Sequence, residues 1–187
     1  LETHVAGSEG TAVGFIKGYD PETLREIVDL DECQTRLTEL GDQRSLAAML
    51  EKVWLLKVLG RLDEALVVSE ESVRLARMAG TRKDLLRARM LHATVQQFRG
   101  AYAAAIHELN TCVEEAEGQG WSAVAAFGCQ HRGKVHFDAG DDAAARADFK
   151  KALFLRQEAG APEDQLESTL LAIDAVDRRR NSTTVAG

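Results

Sequence analysis

From residue 43 to residue 159 the chain alternates runs of apolar periodicity with glycines. Apolar residues recur at steps of three and four in six segments, at about 43–59, 62–79, 83–99, 102–118, 122–139 and 142–159, the spacing of one face of a helix. The segments repeat in register. Leu46, Leu86 and Ala126 share a column, as do Ala48, Ala88 and Gly128, then Val53, Ala93 and Gly133, then Leu55, Val95 and Val135. In the second segment of each pair the column Ser72, Cys112, Ala152 is small, and its neighbour Val73, Val113, Leu153 is larger. Small columns let backbones approach and larger neighbours fill the gap, which is how stacked repeats bury a continuous core. Two glycine series, Gly60, Gly100, Gly140 and Gly80, Gly120, Gly160, run on the same clock of forty residues. The chain thus carries three copies of a two-helix unit, at 42–81, 82–121 and 122–161.

The flanks are less regular. Residues 1–20 hold four glycines and no strong period, and read as a tail or a degenerate first helix with Val13, Phe15 and Ile16 on its apolar side. Asp20 can cap a helix and Pro21 suits a first turn. Ile27, Leu30, Cys33, Leu37 and Leu40 then recur at helical steps until Gly41, so residues 21–41 read as the second helix of an incomplete leading repeat. Beyond Pro162, residues 162–180 read as a capping helix, with Glu163, Asp164, Glu167, Asp174 and Asp177 facing solvent. Arg178 to Arg180 would sit at its C-terminal end, where cations complement the helix dipole. Residues 181–187 read as a tail.

Composition narrows the class. Of 187 residues 45% are hydrophobic, enough for a core, and only 5% are aromatic, a balance that favours closely packed helices over sheets. A net charge of −7 argues against nucleic acid as partner, because phosphate binding calls for a basic surface. No apolar run is long enough for a membrane span. Cys33, Cys112 and Cys129 are odd in number and lack metal-type spacing, and read as reduced, buried thiols of a cytoplasmic protein.

The segments Gly60, Leu62, Ala65, then Gly100, Tyr102, Ala105, then Gly140, Ala145, Phe149, with Gly133 midway along a first helix, resemble the tetratricopeptide repeat. Three features depart from that family. The period is forty; the aromatic early in the first helix is replaced by Met49, Arg89 and Cys129; and glycines stand where the closing proline falls. Longer second helices ending in a glycine turn look like the family's extended subtype, found in kinesin light chains, spindle-orientation adaptors and bacterial peptide-pheromone receptors. The resemblance implies an all-α solenoid, a right-handed superhelix of stacked antiparallel helix pairs, whose first helices line a concave groove that binds a peptide. It places Leu50, Trp54, Lys57, Arg87, Met90, Thr94, Gln97, Phe127, Gln130, Lys134 and Phe137 on that groove.

This set holds three cations and no carboxylate, while residues 102–118 behind it hold Glu108, Glu114, Glu115 and Glu117 without Lys or Arg. The bias points to an acidic peptide or a C-terminal carboxylate, with Trp54, Met90 and Phe137 as apolar anchors; unrelated surface patterning explains it equally well. No asparagine lies in the three first helices, which speaks against a strict carboxylate clamp. Cys129, His131 and His136 form the only dense cluster of ligand-type residues, but their spacings do not share a helical face, so no metal is expected. No cofactor loop or nucleophile motif occurs, so neither catalytic residues nor a cofactor are expected. Three function classes stay open: a non-catalytic peptide-binding scaffold, a peptide- or ligand-sensing module of a larger bacterial-type regulator, and an adaptor that self-associates through a terminal stacking face.

Overall fold

The computed structural model describes residues 14–185. Among them are eight helices in the expected rhythm: α1 (Leu30–Leu40), α2 (Leu46–Val58), α3 (Leu62–Ala79), α4 (Arg82–Phe98), α5 (Tyr102–Gly118), α6 (Ser122–Asp138), α7 (Asp142–Glu158) and α8 (Glu163–Val185). Each packs on its neighbours in sequence, and α2 with α4 and α4 with α6 also touch directly. The chain is an all-α repeat solenoid, with α2, α4 and α6 as its inner row and α3, α5 and α7 behind them. None of the described helices is long and apolar enough to cross a membrane.

The turns explain the glycine clock. Gly60, Gly100, Gly120, Gly140 and Gly160 all have φ between +65° and +82°, a region that costs a residue with a Cβ about 1 kcal/mol or more. At each, the amide of the following residue closes a wide loop onto the preceding helix, as Arg61 N–H does to the Leu56 carbonyl at 2.9 Å and Trp121 N–H to Ala116 at 2.9 Å. These bonds satisfy carbonyls that a helix end otherwise leaves open. Gly80 departs from the series with an extended backbone, and the following helix is started instead by a capping box between Thr81 and Asp84.

The columns identified in the sequence are the stacking interfaces. Leu86, Ala88, Ala93, Val95, Ala105, Cys112, Val135 and Ala152 are each no more than 1% exposed. At Gly133 an added Cβ would stand 2.6 Å from the ring of Phe149, which is fully buried. The small column therefore admits the aromatic of the helix behind it.

The N-terminal flank differs from expectation. Ile16–Tyr19 (β1) and Glu26–Val28 (β2) pair as a two-stranded antiparallel hairpin, with Tyr19 opposite Glu26. Residues 1–13 of the expected tail or degenerate helix lie outside the described residues. Asp20 does cap, accepting from the amides of Glu22 and Thr23 at 2.8 and 3.0 Å, but only one turn forms. Leu24, at φ 57°, ends that turn and the chain doubles back as β2. The helix that does form is capped by Asp29, whose carboxylate accepts from Asp31 and Glu32. Hence Ile27 and Leu30, placed on an apolar helix face by their spacing, are instead 49% and 56% exposed.

The C-terminal flank differs as well. α8 continues to Val185, so Arg178 to Arg180 do not end it. Arg179 is a tie to the inner row: it donates to the Phe137 carbonyl at 2.9 Å, pairs with Asp142 and covers the Phe137 ring at 3.6 Å, while Arg178 pairs with Asp174 on its own helix.

Gly133→Ala tests the close approach. Overpacking costs about 1–3 kcal/mol, against a gain of at most about 1 kcal/mol in helix propensity, so the variant loses stability by about 1 kcal/mol in urea denaturation. Gly118→Ala, where an added methyl meets nothing within 4 Å, is the control and holds or gains stability.

Candidate functional site

The inner row is not empty: the hairpin lies on it. Leu24 is 3% exposed and packs with Phe137, Ala172, Ala175 and Val176. That burial is worth about 2 kcal/mol, enough to offset about 1 kcal/mol of left-handed strain. Arg25 lies 3.9 Å over the Phe98 ring and donates to Asp138 at 2.6 Å. The same carboxylate oxygen accepts from Gln97 at 2.7 Å, so Asp138 joins α4, α6 and the hairpin. At the other end Phe15 meets Trp54 at 6.3 Å between ring centroids, and Ile16 and Val28 pack around Leu55 and Cys33.

Between these anchors the hairpin delivers a carboxylate to cations. Glu26 stands 3.8 Å from Lys134 with both side chains nearly buried, and Lys134 lies 5.1 Å from the Tyr19 ring. Lys57 is 2% exposed. Its ammonium group reaches the Thr94 hydroxyl only at 3.4 Å and sits 4.7 Å from the Phe98 ring, and no carboxylate among the described residues is within ion-pair distance of it. Burial pushes the Lys57 ammonium down to about 8, although Glu26 acts to raise it. Burial alone would raise the Glu26 carboxyl, but Lys134 and then Lys57 outweigh it and hold the group at about 2. His131 is held well below its ordinary range by burial and by the charges of Lys134 and Lys57, and is therefore neutral at physiological pH.

These groups surround a cavity of about 90 Å³. Its wall is the hairpin (Ile16, Tyr19, Glu26) and its floor the inner row (Trp54, Lys57, Leu91, Phe127, Gln130, His131, Lys134); Arg156 and the start of α8 close the far side. The far side is tied together by hydrogen bonds. Arg156 donates to the Gln165 carbonyl at 2.7 Å and to Thr169 at 2.5 Å, and the Thr169 hydroxyl is 3.0 Å from Gln130 Oε1. Phe127 meets His131 edge-on at 4.3 Å.

Of the residues expected on the groove, Trp54, Lys57, Phe127, Gln130 and Lys134 line this cavity. Thr94, Gln97 and Phe137 are on the inner row but are buried by other contacts: Thr94 beside Lys57, Gln97 on Asp138, Phe137 under Leu24 and Arg179. Met90 is not a groove residue. It is fully buried between helices, and a Cβ at Gly128 would meet its methyl at 2.9 Å. Arg87 is half-buried, one turn before Leu91, and has no ion-pair partner among the described residues. The Cys129, His131 and His136 cluster points three ways: Cys129 into the core with Val113 and Ala152, His131 to the cavity, His136 to within 3.8 Å of Asp148. Glu26, Tyr19, His131 and Arg156 were not expected in the site. The first two lie in a segment that read as flank, and His131 was visible only as a ligand-type residue.

Comparison with known proteins finds no matching protein-family model and no similar curated protein. The likeness to the tetratricopeptide repeat rests on the repeat's own residues.

Acid should weaken this site in two stages. His131 is neutral in the fold and gains a proton on unfolding below its ordinary 6.5, so stability begins to fall as pH drops through that value. The stabilisation from Glu26 is complete above its ordinary 4.5 and is lost as pH falls toward about 2. In urea denaturation across this range, His131→Gln flattens the upper slope and Glu26→Gln the lower one. Glu26→Gln also costs about 2–4 kcal/mol at neutral pH, because it strands buried cations.

Proposed function

We propose that this protein is a non-catalytic interaction scaffold whose inner row captures an acidic segment of a protein partner. One observation supports the reading above others: the row already holds such a segment, the chain's own hairpin, with Glu26 set among Lys57 and Lys134. The hairpin's own contacts are the pattern on which this reading rests. The row takes a carboxylate at Lys134 in the field of Lys57, an aromatic ring against Lys134, a leucine in the pocket of Phe137 and Val176, and an arginine on Asp138. A partner with that pattern would exchange with the hairpin, and Arg87, on the same helical face as Leu91, offers a further cation beside it. An overall charge of −7 disfavours nucleic acid as the partner, and the thiols, all three buried and unbridged, fit a cytoplasmic setting.

Fluorescence anisotropy with acidic and basic peptide pools tests this. The acidic pool binds more tightly, and Lys134→Glu or Arg87→Glu weakens it about tenfold. Leu24→Ala, which loosens the hairpin, strengthens it several-fold, because a competitor's apparent affinity rises with the fraction of open groove. Equal affinity for both pools, unchanged by any of the three substitutions, rejects the proposal.

A further inference from the structure

We infer that the cavity beneath the hairpin, open at one edge, is a binding site for a small organic acid: a monocarboxylate with a flat, apolar body. The inference goes beyond capture of a partner segment and does not need the hairpin to leave; the hairpin is one wall of the site.

Three features specify the ligand. The first is charge. Lys57, Lys134 and Arg156 line the cavity against one buried carboxylate, Glu26, with Asp164 at the exposed edge. Lys57 is a buried cation with no carboxylate among the described residues within ion-pair distance, and a buried ammonium is costly unless it is paired. An anion in the cavity supplies that pair. The second is shape. Trp54, Phe127, Leu91 and Ile16 give apolar walls, which suit a ring or a branched chain. The third is size. About 90 Å³ is several times the space one water molecule needs, and too little for a folded peptide segment. Gln130 and neutral His131 add hydrogen-bonding groups that can orient the carboxylate without altering the charge balance.

Benzoate is the probe, and benzamide, its uncharged counterpart of equal shape, is the control. Trp54 reports binding by fluorescence in a Trp121→Phe background, which removes the second tryptophan. Benzoate gives a saturable change at about millimolar concentration or below, and benzamide binds at least about tenfold more weakly. Lys57→Met keeps the length of the side chain, removes the charge and abolishes the preference for benzoate. Ser168→Phe, at a half-exposed wall position, blocks the cavity and abolishes binding of both, which covers the case in which Lys57→Met fails to fold. A linear, unsaturated response, equal binding of benzoate and benzamide, or undiminished binding in Ser168→Phe overturns the inference. Acidic-peptide binding measured on the same samples separates the two proposals: peptide capture without benzoate binding defeats this one alone, and the reverse defeats only the other.

Discussion

The structure depends on neutralising the cations that the inner row buries. Lys57 and Lys134 come from helices one and three of that row, and the repeats themselves bring no carboxylate between them. An ammonium taken out of water costs several kcal/mol even after relaxation. Glu26 offsets part of this from outside the repeat array. The hairpin is therefore not an appendage. It completes an electrostatic balance that the solenoid leaves open, and its apolar anchors, Leu24 at one end and Phe15 with Ile16 at the other, hold the carboxylate in place. Lys57 remains only partly compensated, which is why its ammonium is pushed down to about 8 while Glu26 is pushed to about 2.

Most of the solenoid was legible because its signals are local and threefold. A glycine at positive φ, a small column and a helical period each mean the same thing in every copy, and three agreeing copies suppress chance. The hairpin carries no such redundancy. Ile27, Leu30, Cys33, Leu37 and Leu40 do sit at helical steps, and Cys33 and Leu40 are buried on α1 as that period implies. The same period extrapolated backward misleads, since a three-residue strand ending at Val28 cannot be told from a helix turn by spacing. Asp20 and Asp29 are both real caps, and only contacts with α6 and α8 decide that the first opens one turn and the second a helix.

The candidate site was half legible for a related reason. Helix periodicity says which residues share a face; it does not say which of two adjoining faces the next helix covers. Met90 is one position from Leu91, and the first is consumed by packing on Gly128 while the second reaches the cavity. Arg156 lies on α7, in the outer row, yet its length carries its guanidinium to Gln165 and Thr169 on α8. Long side chains cross layers that Cα positions keep apart.

One column gains a physical meaning from this. Lys57, Gln97 and Phe137 occupy equivalent positions in the three repeats with three different chemistries, and such variation suggests specificity for something external. In the structure each faces a different part of the hairpin's docking: Lys57 the field of Glu26, Gln97 the carboxylate of Asp138 that also holds Arg25, and Phe137 the side chain of Leu24. The repeats are alike where they meet one another, because every stack imposes the same constraint. They differ where they meet the hairpin, because a single segment with an acid, an arginine and a leucine crosses all three. The column's variation thus follows the hairpin's own order of charge, hydrogen bond and apolar side chain, so it is the internal segment that these three positions match.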